Sequence, residues 1–158
     1  SQILQLITGQ FREAMLTVVD PNKDDNYIAI RLLAAAPVKT RYRRHEGEDR
    51  LTVSLDLEAD ILSIQSGIDY TRPDLEVFLG RHIAQEIKKR TKKVVQKVQQ
   101  DFRTDIFGFG LKARRSFLTT KSWDEYNWPL RFPEANINPV VNVAIRRVGV
   151  QFRPPSLK

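Results

Sequence analysis

Two hydrophobic periods meet in this chain, and the switch between them limits what it can fold into. From Leu51 to Ile61, Leu51, Val53, Leu55, Leu57, Ala59 and Ile61 alternate with Thr52, Ser54, Asp56, Glu58 and Asp60. Successive side chains of a strand point to opposite faces, so this pattern predicts a half-buried antiparallel strand with its odd-numbered residues inward. From Thr71 the apolar residues recur instead at helical spacing, through Leu75, Leu79, Ile83, Ile87, Val94, Val98, Phe102 and Ile106. That period predicts a helix of roughly 35 residues, with Thr71 and Asp74 as its start signal and Pro73 in its first turn. An apolar sheet face must be covered, and this helix is available to cover it. The expectation is an α+β domain: a mainly antiparallel sheet of about four strands, with the long basic helix and a shorter helix packed on one face.

The remaining segments fill in that plan. Residues 1–10 read as a short helix stopped by Gly9, and Glu13 to Val19 as a first strand. The DPNKDDN cluster at residues 20–26 is a turn. A second strand alternates Ile28, Ile30 and Leu32, then Val38, Thr40 and Tyr42, against Arg31, Lys39, Arg41 and Arg43. Pro37 in its middle puts it at an edge or a bulge, because proline donates nothing to a ladder. After the turn at residues 45–49, the acidic outer row of the third strand is expected to pair with the basic outer row of the second, at roughly 0.2 to 1 kcal/mol per pair. Leu111 to about Thr120 reads as the shorter helix, and Trp123, Tyr126, Trp128, Pro129, Phe132 and Pro133 as an aromatic connection. Val141, Val143 and Ile145 alternate as a last strand before the tail RPPSLK. The chain is expected to be one domain over residues 1–153, with 154–158 as a tail.

Between the two helical patterns lies DIFGFG, residues 105–110. Gly108 and Gly110 are expected to form a structural joint, since glycine takes positive φ at little cost, while Ile106, Phe107 and Phe109 anchor the turn to a core.

Chemical motifs are sparse. Cysteine is absent, which removes a disulfide framework, a thiolate metal site and a cysteine nucleophile. Gly108, Gly110 and Ala113 match the spacing of a dinucleotide fingerprint, yet a helix precedes them where that motif needs a strand. Asp20, Asn22 and Asp24 open like a calcium loop, but Arg31 occupies the position of the bidentate glutamate, so an acidic hairpin turn is the better reading. His45 and His82 are the only histidines, in different elements, and make no zinc site. Asp124 and Glu125 read as helix or salt-bridge carboxylates rather than a catalytic pair. No catalytic, cofactor-binding or metal residues are assigned, and no enzyme is expected.

Charge is the one strong anomaly. The net charge is +7, and between Arg81 and Lys97 seven cations stand against one carboxylate, Glu86. Lys88 with Lys92, and Lys89 with Lys93 and Lys97, repeat like charges at helical spacing, each pair costing roughly 0.2 to 0.5 kcal/mol on an isolated helix. Lys88, Lys89, Lys92, Lys93 and Lys97 are therefore the candidate partner-binding residues. A solvated face is the plain alternative; an acidic protein, anionic lipid or nucleic acid are the sharper ones. Aromatic residues do not interleave the lysines and no nucleic-acid-binding signature accompanies them, so nucleic acid is not expected.

Four segments together resemble the C-terminal domain of the Ger(x)C family, the lipoprotein C subunits of bacterial spore nutrient germinant receptors. They are VKTRYR at residues 38–43, the lysine-rich run from Pro73 to the joint at Gly110, the aromatic stretch from Arg115 to Pro133, and the closing strand with IRRVGV at residues 145–150. The resemblance implies the C-terminal third of a longer lipoprotein, with its signal peptide and lipidated cysteine upstream of Ser1. It also implies attachment at the outer face of the spore inner membrane and action with the receptor's A and B subunits, without catalysis or cofactor. The leading expectation is receptor assembly or germination signalling by a segment that is itself soluble. The alternative is a nucleic-acid or anionic-lipid binding module built on the basic helix.

Overall fold

A computed structural model describes residues 1–149. The proposed tail and the end of the domain boundary, along with Val150 of the closing motif, lie outside the described residues. Helix α1, Gln2–Ile7, is stopped by Gly9 at φ 76°. Strands β1 (Glu13–Asp20), β2 (Lys23–Ala34), β3 (Lys39–His45) and β4 (Glu48–Ile64) follow, then helix α2, Pro73–Lys97. A π turn, Val98–Phe102, extends α2. Helices α3 (Gly110–Arg114), α4 (Thr120–Tyr126) and α5 (Trp128–Arg131) and a single 3-10 turn lead into strand β5, Asn136–Val148. The class is α+β, as the two periods predict.

The second strand is where Pro37 acts. It divides into β2 and β3, which both run antiparallel along the same edge of β4. Ala34 stands opposite Leu57 and Lys39 opposite Ser54, so residues 35–38 bulge against residues 55–56. The opposite edge of β4 pairs in parallel with β5 from Arg50 to Ile61. A parallel neighbour needs a long crossover, which the helices supply. The sheet is thus antiparallel except at β5, and β1 closes the far side against β2.

Of the expected cross-strand charge pairing with the second strand, one position is met: Arg31 stands opposite Asp60 and its charge helps to lower that carboxyl's titration. Lys39, Arg41 and Arg43 stand opposite Ser54, Thr52 and Arg50. The acidic row of β4 is bonded from β5 instead: Asn136 donates to Glu48 at 3.3 Å, Asn142 to Asp56 at 3.0 Å, and Arg146 to Asp60 at 2.9 and 2.6 Å.

Odd-numbered residues of β4 from Leu51 to Ile61 are all buried, and they meet Leu79, Ile83 and Ile87 of α2 in one core with Ile28, Ile30 and Leu32 of β2. Three corrections concern the helices. Thr71 does not cap α2; its backbone and hydroxyl donate to Asp69, and Arg72 precedes the helix in extended conformation. The long helix stops at Arg103, which adopts φ 52°, rather than reaching Ile106 and the glycine joint. Its π turn adds a residue to the helical period, so the adjacent Val98 and Gln99 are both buried, and Gln99 Nε2 donates to the Phe132 and Ala135 carbonyls at 2.9 and 2.8 Å. Finally, the expected helix from Leu111 to Thr120 breaks in two. Ser116 closes α3 by bonding Ala113, and Thr119 starts α4 through a capping box with Ser122.

Candidate interaction surface

Helix α2 buries one row, Leu79, Ile83, Ile87, Thr91 and Val95, and turns its lysines the other way. Lys89, Lys92, Lys93 and Lys97 are exposed, whereas Lys88 is half-buried. Among the described residues no carboxylate lies within ion-pairing distance of any of the five. Arg90, counted in the same run by sequence, is withdrawn from it: its guanidinium donates to the Thr17 carbonyl of β1 at 3.0 Å. His82 reaches the Val19 carbonyl of the same strand at 2.8 Å. Both side chains fasten the outer strand to the helix, so His82 has a structural task and His45 remains in its exposed turn.

The two glycines of the expected joint differ in geometry. Gly108 has φ 75°, as its glycine implies, but Gly110 sits at the start of α3 without positive φ. What requires glycine there is space: a Cβ would lie 2.8 Å from Trp128 Cδ1 and 3.3 Å from Asp105 Oδ2. Asp105 is the organising group that sequence reasoning missed. Its carboxylate accepts from the Phe109 and Gly110 backbones at 3.0 and 2.6 Å and from Trp128 Nε1 at 2.9 Å. An aspartate five residues before the helix was the available signal, since a carboxylate near a helix start can accept from its free N–H groups. A groove of about 570 Å³ lies beside this joint, bordered by Phe11, Pro37, Leu57, Phe107, Phe109 and Lys112. None of the α2 lysines lines it. The structure therefore keeps the two features singled out in the sequence apart.

Among the described residues three carboxylates are buried, Asp20, Asp49 and Asp60; Asp60 is held by Arg146, and the other two are held by hydroxyl groups. Asp20 accepts from Tyr70, from Ser66 Oγ at 2.6 Å and from the Asn22 backbone at 2.9 Å, which closes the β1–β2 turn. Burial, reinforced by that bond to Asp20, pushes the Tyr70 hydroxyl up to about 12. The calcium-like spacing is thus occupied as an internal latch. Asp49 accepts from Tyr42 and Tyr126, and burial with these bonds raises Tyr42 above the ordinary tyrosine range. Asp124 and Glu125 stay exposed on α4, with Glu125 at 4.0 Å from Lys121. Before the Gly108 and Gly110 pair comes a helix end, not a strand.

The model of the family described as spore germination B3/GerAC like, C-terminal, matches residues 1–149. The chain belongs to that family. Among solved structures the crystal structure of the GerBC protein is similar, with a TM-score of 0.72 at 14% sequence identity, over 91% of this chain and 44% of that one. At that identity the likeness establishes the fold, and the chain spans less than half the length of its structural relative. No curated protein matches the sequence. Among the described residues, no helix is long and apolar enough to cross a membrane and no group of acidic or histidine side chains is arranged to hold a metal ion.

Proposed function

We propose that this chain is a non-catalytic part of a spore nutrient germinant receptor and acts in receptor assembly or germination signalling. Family membership across residues 1–149 supports the germination role. The observation that carries assembly is the unpaired lysine row on a packed helix: Lys89, Lys92, Lys93 and Lys97 are exposed, fixed in spacing by a buried opposite face, and without carboxylate partners among the described residues. An acidic protein face is the complement such a row would meet, and charge matching of this kind gives specificity and on-rate. In this reading the receptor's A and B subunits are the partners. An upstream lipid anchor would hold the full-length protein at the outer face of the spore inner membrane.

Reversing Lys89, Lys92 and Lys93 to glutamate in the full-length protein tests the reading. The variant is expected to fold, because these side chains contact solvent, while recovery of the protein with its partner subunits and germination both decline. Normal germination and normal co-recovery would return the row to a solvated face. Salt-sensitive binding of the wild-type chain to random DNA, lost on reversal, would overturn the assembly reading in favour of nucleic acid.

A further inference from the structure

A second cationic surface lies in the turn between α3 and α4, away from the lysine row. Leu118 at its tip is fully exposed, at 101% of the reference area. Its neighbour Phe117 points the other way, packed on Trp123 and Tyr126 at ring distances of 5.3 and 4.7 Å. The turn is therefore anchored from beneath, and the leucine is held outward by structure. An exposed leucine alone would mean little. This one is set among cations: Arg114 and Arg115 precede it, exposed, and Arg44 of β3 shares with it a groove of about 640 Å³. Arg44 is positioned over the Phe117 and Tyr126 rings, at 6.0 and 5.3 Å from their centres. Among the described residues none of these three arginines has a carboxylate within ion-pairing distance. From residue 106 to residue 123 the sequence contains no acidic residue at all.

We propose that this turn is a membrane-contact tip, with Leu118 entering the acyl boundary of an anionic bilayer while Arg44, Arg114 and Arg115 bind lipid phosphates. Guanidinium groups suit phosphate oxygens, and a projecting apolar side chain needs an apolar sink directly behind those phosphates. A bilayer supplies both. Nucleic acid supplies phosphates but rewards exposed rings for stacking, and Phe117 is turned inward.

Flotation of the 158-residue chain with phosphatidylcholine vesicles, with and without phosphatidylglycerol, tests this. Binding is expected only with the anionic lipid and is expected to weaken with salt. Leu118→Ser should lower vesicle affinity about tenfold, and the paired change Arg114→Glu with Arg115→Glu by about tenfold or more. Reversal of Lys89, Lys92 and Lys93 should leave it within about twofold, so this contact and the subunit contact fail independently. Circular dichroism checks that each variant is folded. Absence of flotation by the wild-type chain would overturn the inference, as would wild-type flotation by Leu118→Ser. Flotation lost only on reversal of the α2 lysines would place the contact elsewhere and overturn it equally.

Discussion

Asp60 has the most informative environment of any single residue in the sheet. It is 5% exposed, and Arg146, bonded to it through two nitrogens, is a residue that the β4–β5 ladder skips: Ala59 pairs with Ile145 and Asp60 with Arg147. A bulge re-aims a side chain, and here it turns Arg146 onto the carboxylate. The sequence displays an acidic row and several arginines, but the choice of partner follows from a register that no local pattern encodes. Those hydrogen bonds, and then the charges of Arg146, Arg147 and Arg31, hold the Asp60 carboxyl below its ordinary 3.8 against the opposing effect of burial. A depressed folded-state titration favours the fold while the group is ionised, so this stability is present above the ordinary value and lost as acid titrates the folded state. Arg146→Gln is expected to destabilise the fold at neutral pH, because it removes the charged hydrogen bonds that favour the ionised Asp60. The deficit should shrink once the pH falls below 3.8. Urea denaturation of both proteins across acid and neutral pH checks it. A difference that stays constant with pH would mean that the pair contributes nothing through charge.

Among elements, β4 and α2 were the most legible, because each carries a long apolar period with one buried face. All six odd-numbered positions from Leu51 to Ile61 are buried where alternation puts them. Element ends were harder. The π turn and Arg103 stop the long helix through Gln99's bonds to carbonyls more than thirty residues away, at Phe132 and Ala135, which local periodicity does not reveal. The joint was legible as a break but not in its mechanics. Gly108 has no close neighbour for a Cβ, only Leu111 Cδ1 at 4.0 Å, so its requirement is conformational. Gly108→Ala should therefore cost about 1 to 2 kcal/mol and leave the tryptophan environment unchanged. Gly110→Ala instead forces its Cβ against the Trp128 indole. It should cost about 1 to 3 kcal/mol and alter near-ultraviolet circular dichroism as the ring moves. Equal spectra for the two variants would refute the division between a backbone and a packing role.

At the scale of the whole molecule, α2 makes contact with both outer strands of the sheet, β1 and β5. On one side His82 and Arg90 hold the β1 carbonyls; on the other, a Cβ added at Gly80 would lie 3.1 Å from the Val143 carbonyl of β5. This arrangement also covers part of the exposed backbone that an outer strand would otherwise offer to another chain. The parallel placement of β5 stayed hidden in the sequence, since strand alternation fixes a face and not a neighbour. Gly80 is the position where that placement can be tested. Alanine there gains about 1 kcal/mol of helix propensity but must displace a backbone carbonyl by a few tenths of an ångström, so Gly80→Ala should be close to neutral. Gly80→Val adds two methyl groups to the same contact and should cost about 1 to 3 kcal/mol. Hydrogen exchange should then quicken in β5 more than at the centre of β2, because the helix is pushed from one edge while the inner ladder remains paired. Valine at Gly80 with wild-type stability and unchanged protection of β5 would mean that α2 is not seated against that strand, and the reading of the helix as bridging both outer strands would have to be abandoned.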